Sequence, residues 1–130
     1  MRYKSKLIVN IVKEFFLVII LVLLFSCETG EGWKPKGEVS VINFNEVETI
    51  EGKKCKIDYK IKNIGAVKII KSTISFEINS DKNIYYLTIT DSTTILPDKE
   101  IFGNFYVFYL STNETLIDLG AIKIRSSFFE

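Results

Sequence analysis

From residue 37 onward, apolar and polar positions alternate along short stretches. The clearest is "KKCKIDYKIKN", where Cys55, Ile57, Tyr59 and Ile61 alternate with Lys54, Lys56, Asp58, Lys60 and Lys62. A period of two places the two sets on opposite faces of a strand. A charged second face belongs to an antiparallel sheet with one side in water. "IKSTISFEIN" repeats the pattern, with Ile70, Ile74, Phe76 and Ile78 on one face and Thr73, Ser75 and Glu77 on the other. "IYYLTIT", "IFGNFYVFYL" and "LGAIKIRS" follow as further strands. In the first strand, "EVSVINF", the apolar phase slips between Val41 and Ile42, as a bulge requires. Turn chemistry separates the runs at Asn63–Gly65, "NSDKN", Pro97–Asp98 and "STNE". "NETLIDL" is the lone candidate for a short helix in this part. Six or seven short strands without an amphipathic helix predict an all-β fold, an antiparallel sandwich or barrel.

Two strands carry aromatic residues on both faces. Ile101, Phe105, Val107 and Tyr109 share one side of "IFGNFYVFYL", while Phe102, Tyr106, Phe108 and Leu110 share the other. Tyr85 and Tyr86 repeat this duality. A strand of an outer sheet has one core face, and exposed aromatic side chains mark recognition surfaces. Tyr86, Phe102, Tyr106 and Phe108 are therefore the candidate binding residues. The lysine row of Lys54, Lys56, Lys60 and Lys62 reads first as a solvated face that opposes edge-to-edge pairing.

The N-terminal segment follows a different pattern. "MRYKSK" supplies three basic residues, and an unbroken apolar run extends from Phe15 to Phe25. That length matches the roughly 7–15 residues of a signal-peptide core and falls short of the about 20 needed to span a bilayer. The run ends in Leu24-Phe25-Ser26-Cys27. An aliphatic residue three before a cysteine and a small residue one before it resemble the bacterial lipoprotein signal, the lipobox. The resemblance implies that Cys27 carries a lipid, that cleavage falls between Ser26 and Cys27, and that Leu24 and Ser26 are the recognition positions. The alternative is an uncleaved anchor over residues 7–25, which would bury Lys13 and Glu14.

The expected organisation is a signal peptide at 1–26, a lipidated cysteine with a flexible tether at 27–36, and a sandwich at 37–130. Loss of residues 1–26 leaves 13 basic and 15 acidic side chains, turning a net charge of +1 into −2. Trp33, the only tryptophan, lies in the tether. It is expected to pack against the foot of the domain, or else to sit at headgroup level.

The chain has no histidine, the commonest general base and metal ligand. Its two cysteines, Cys27 and Cys55, cannot build a disulfide framework. No phosphate-binding glycine loop, nucleophile elbow or metal-ligand spacing occurs, and the oxygen-rich "NSDKN" and "TDSTT" match no calcium loop. The near-neutral charge gives no nucleic-acid footprint.

The layout of residues 37–127 is similar to the immunoglobulin-like sandwiches of bacterial envelope proteins, in particular the FxLYD type, and the resemblance implies an antiparallel Ig-like β-sandwich of about seven strands. Asn63-Ile64-Gly65, Leu96-Pro97-Asp98 and the aromatic strand Phe102–Tyr109 carry that resemblance. Phe76 and Ile78 fit the signature, while Asn79 and Ser80 depart from it and Asp98 stands at the turn glycine. The expectation is a non-catalytic binding or structural module without cofactor or metal. A lipid would hold it in the cell envelope, where it would meet a protein partner. The alternative is a subunit of an envelope transport or secretion assembly held by an uncleaved helix.

Overall fold

The computed structural model describes residues 10–19 and 33–130. The chain divides into two compact units, Met1–Glu31 and Gly32–Glu130. Residues 10–19 are helical. Leu24, Ser26 and Cys27 lie outside the described residues. Among the described residues no helix is long and apolar enough to cross a membrane.

The second unit is an all-β sandwich of two antiparallel three-stranded sheets. Its strands are β1 (Gly37–Thr49), β2 (Gly52–Asn63), β3 (Ser72–Asn79), β4 (Ile84–Asp91), β5 (Glu100–Phe108) and β6 (Ile122–Phe129). One sheet runs β1-β2-β5 and the other β4-β3-β6. Six strands form where about seven were expected. The stretch between β5 and β6, the longest of the connections, works as a loop ending in a single 3₁₀ turn, Leu119–Ala121. The lone short-helix candidate, "NETLIDL", is not an α-helix, and Glu114 within it is drawn into the interior.

The alternation in β2 becomes burial: Cys55, Ile57, Tyr59, Ile61 and Asn63 point inward. From the facing sheet come Ile74, Phe76 and Ile78, and β5 adds Phe105 and Val107. Phe76 bridges the layers, its ring 4.7 Å from that of Phe105 and 5.9 Å from that of Tyr59. Each large apolar side chain buried this way contributes roughly 1.5–3 kcal/mol. The bulge appears where the phase slips: Val41 faces Tyr59 and Asn43 faces Asp58, leaving Ile42 as the extra residue.

Two sequence expectations need correction. Ile70 is half exposed rather than in the core face. Ahead of β3, Ile69 makes a bridge with Ile95 and takes the buried position instead. Trp33 is 76% exposed and does not pack on the domain.

Tyr59 leans across Gly103, its β5 partner. A Cβ at Gly103 would overlap that ring, so the aromatic strand carries a glycine at this close approach.

Candidate interaction surface

The outer face of the β1-β2-β5 sheet is built by register. Across β2 and β5, Lys60 pairs with Phe102, Lys56 with Tyr106 and Lys54 with Phe108. A column of lysines therefore stands beside a column of aromatic rings. Phe102 is 67% exposed, Phe108 64% and Tyr106 44%. Among the described residues β5 is an edge strand with no strand beyond it, and no charged residue occurs from Ile101 to Asn113. Lys54 sits over the Tyr106 ring, 4.7 Å from its centre. The other lysines are matched by acids: Lys56 with Asp58 at 3.5 Å, Lys60 with Glu100 at 3.4 Å and Lys62 with Asp98 at 3.7 Å. Exposed pairs of this kind contribute about 1 kcal/mol or less each.

Tyr86 does not belong to this surface. It lies on β4, on the outer face of the other sheet, where it is 63% exposed and carries Arg125 over its ring. That second outer face is hydroxyl-rich, with Thr73, Ser75, Thr88, Thr90 and Ser126 among its positions. The four candidate residues thus split into a three-residue aromatic column and one isolated tyrosine. Alternation within a strand gives the face of a residue but not the sheet to which the strand belongs.

Two carboxylates that sequence reasoning did not single out as a pair anchor the far end of the sandwich. Glu114, in the loop after β5, is fully buried. It accepts hydrogen bonds from Tyr85 Oη at 2.6 Å, Ser80 Oγ at 2.7 Å, Asn83 Nδ2 at 2.7 Å and the Ser111 amide at 3.0 Å. Its carbonyl accepts from Lys53 Nζ at 2.6 Å. Glu46 on β1 accepts from Tyr109 Oη at 2.7 Å, the Leu116 amide at 2.7 Å and Thr115 Oγ1 at 2.8 Å, with Lys53 Nζ at 3.1 Å. Burial alone raises a carboxyl's pKa. Here it is outweighed by the donors, which hold Glu46 down at about 2 and lower Glu114 as well. Burial, followed by the hydrogen bond to Glu46, pushes the Tyr109 phenol up. The donors around the two carboxylates tie the loop after β5 to β1 and to the β3–β4 turn.

The opposite end is organised by Asn63. Its amide donates to the carbonyls of Val67 and Ile95, both at 2.8 Å, and its oxygen accepts from the Gly65 amide at 2.9 Å. Leu96-Pro97-Asp98-Lys99 closes next to it, with the Lys99 amide bonded to the Leu96 carbonyl at 3.0 Å. Asp98 holds a φ of 65°, the left-handed conformation that a type II turn requires at its third residue.

Cys55 is free and fully buried in the core, and burial pushes its thiol pKa up. That is the setting of an inert small hydrophobe. "NSDKN" and "TDSTT" are ordinary turns, the second closed by the Asp91 carboxylate on the Thr93 amide at 2.8 Å. Among the described residues no group of three or more acidic or cysteine side chains is placed to hold a metal ion.

No family model and no curated protein matches the sequence. Among solved structures, the Salmonella enterica trimeric lipoprotein SadB aligns with 99% of this chain and 80% of its own. The identity is 10% and the TM-score 0.37, a likeness too distant to carry functional inference.

Proposed function

We propose that the protein is a bacterial envelope lipoprotein, anchored through Cys27, whose sandwich acts as a non-catalytic binding module of the Ig-like, FxLYD-like kind. The observation that carries this is the stretch Leu24-Phe25-Ser26-Cys27 at the end of an apolar run with a basic start. Two or three acyl chains on one cysteine hold a protein durably on a bilayer. The surface offered to a protein partner is the column Phe102, Tyr106 and Phe108 beside Lys54. It has the aromatic content of interface centres, and it leaves a free strand edge for main-chain pairing.

Metabolic labelling with an alkyne fatty acid tests the anchor. Wild type is expected to label and Cys27→Ala to remain unlabelled, and equal labelling of both overturns the assignment. The mature mass supplies a second readout. An intact N-terminus would instead favour a subunit held by an uncleaved helix over residues 7–25. For the surface, a Phe102→Ser/Phe108→Ser variant is expected to lose envelope cross-links that wild type forms from a photo-reactive group at Asn104. Unchanged cross-links would remove the aromatic column from the proposal.

A further inference from the structure

The two ends of the sandwich differ in charge and in where the chain enters. The tether enters at the Asn63 end, where the Lys36 carbonyl accepts the Ile64 amide at 2.9 Å. The same end gathers the loop before β3 and the loop after β4, joined by the bonds between Ile69 and Ile95. Their tips expose Ile64, Ile70 and Leu96. Lys36, Lys68 and Lys99 are exposed beside them, as is Lys34 in the tether.

Among the described residues, none of these four lysines enters a salt bridge. Three acids of this end are instead matched by other lysines: Asp98 by Lys62, Glu100 by Lys60 and Glu130 by Lys71. Glu38, second in β1, and Asp91, last in β4, belong to the same end and form no salt bridge among the described residues, so four unpaired lysines stand there against two unpaired acids. Among the described residues the opposite end reverses the balance, with Glu48, Glu51, Asp81 and Asp118 free of salt bridges against Lys54, Lys82 and Lys123. Apolar tips occur there too, including Ile50 and Ile117, so charge and the point of entry separate the two ends.

We infer that the Asn63 end is a foot that docks on an anionic bilayer surface, Ile64, Ile70 and Leu96 entering the headgroup region while Lys36, Lys68 and Lys99 meet its negative charge. The inference rests on the lipid anchor proposed at Cys27. Nine residues separate that anchor from Gly37, a reach of about 35 Å at most. A surface held that close acts as a partner at high effective concentration, so weak contacts suffice. A lysine near an anionic leaflet strengthens binding about fivefold. Trp33, exposed and six residues from the anchor in sequence, adds an interfacial aromatic.

The test uses the full-length protein reconstituted in vesicles and places a tryptophan probe at either end. Leu96→Trp and Ile117→Trp are each made in a Trp33→Phe background. Lipids brominated in their acyl chains then quench whichever probe enters the bilayer surface. Leu96→Trp is expected to be quenched in vesicles containing phosphatidylglycerol and spared in pure phosphatidylcholine, with Ile117→Trp spared in both. Adding Lys68→Glu and Lys99→Glu is expected to weaken the contact by at least about 30-fold and so abolish quenching. Equal quenching at the two ends, indifference to lipid charge, or quenching that survives the charge reversal each overturns the foot. Fatty-acid labelling of wild type separates the two proposals: if wild type does not label, the lipid anchor fails, and the comparison of the two probes is still read on the vesicle-bound chain.

Discussion

The sandwich is tied at each end by a buried polar side chain, and the two ties work by different chemistry. Asn63 closes the foot alone. An amide both donates and accepts, so one residue satisfies two carbonyls and one amide without burying charge. The far end uses Glu114, which only accepts. It needs donors from the β3–β4 turn, from β4 and from its own loop. Glu46 and Lys53 complete the arrangement. Both ties join the two sheets: Asn63 ends β2 and reaches loops flanking β3 and β4, while Glu114 follows β5 and reaches the β3–β4 hairpin. The neutral tie is compact and insensitive to pH. The charged tie spans more of the chain and titrates.

The difference is broken most directly by removing each tie. Glu114→Ala leaves Tyr85, Ser80, Asn83 and the Ser111 amide without their acceptor in a buried site, and a loss of about 4 kcal/mol is expected. Asn63→Ala strands the Val67 carbonyl and the Gly65 amide and leaves the Ile95 carbonyl with the Ile69 amide alone, for an expected loss of about 2 kcal/mol. Urea unfolding gives both values. Hydrogen exchange assigns them to their ends: Glu114→Ala opens Ser111–Leu116 and the β3–β4 turn first, while Asn63→Ala opens Ile64–Ile70. Equal opening at both ends in either variant would show that the two ties act as one unit.

Acid sharpens the same contrast. Glu46 titrates at about 2 in the folded chain against 4.5 for a free carboxyl, and Glu114 is lowered too. Between those values the unfolded chain binds protons that the folded one does not. The stabilisation is complete above about pH 4.5 and is lost as pH falls toward 2. Urea midpoints are therefore expected to fall across that window, and Glu46→Gln to flatten the slope. Asn63→Ala is expected to lower every midpoint while leaving the slope unchanged. An unchanged slope in Glu46→Gln would remove that carboxylate from the acid response.

How much of this was legible in the sequence follows from how local each signal is. The period-two faces of β2 and β5 depend on neighbours two residues apart, and both were readable, as was the bulge at Ile42 from a break in phase. The turn at Asn63 was visible as Asn-x-Gly, although its two long bonds to carbonyls were not. Glu114 was invisible. "STNETLIDL" has the composition of an exposed loop or short helix, and the residue is buried by partners about thirty positions earlier in the chain. Ile70 was misplaced for a related reason: the bridge to Ile95 lies outside the strand and shifts the inward position to Ile69. Tyr86 shows the same limit at the candidate surface, where face was legible and sheet membership was not.

The smallest effect separates conformation from bonding within the foot. Asp98 adopts a φ of 65°, which a side chain with a Cβ occupies at a cost of about 1 kcal/mol. Its carboxylate is almost fully exposed and meets Lys62 only at 3.7 Å, a contact of little worth in water. Asp98→Gly removes the strain and a weak ion pair while keeping the backbone bonds that join Asn63 to Asp98 and Lys99. Glycine gives part of that gain back through its freer unfolded chain. A net stabilisation of about 0.5 kcal/mol is expected by urea unfolding, at neutral and at acid pH alike. If Asp98→Gly instead destabilises, the carboxylate contributes more to the foot than its exposure allows, and the contrast between a neutral end and a charged end narrows.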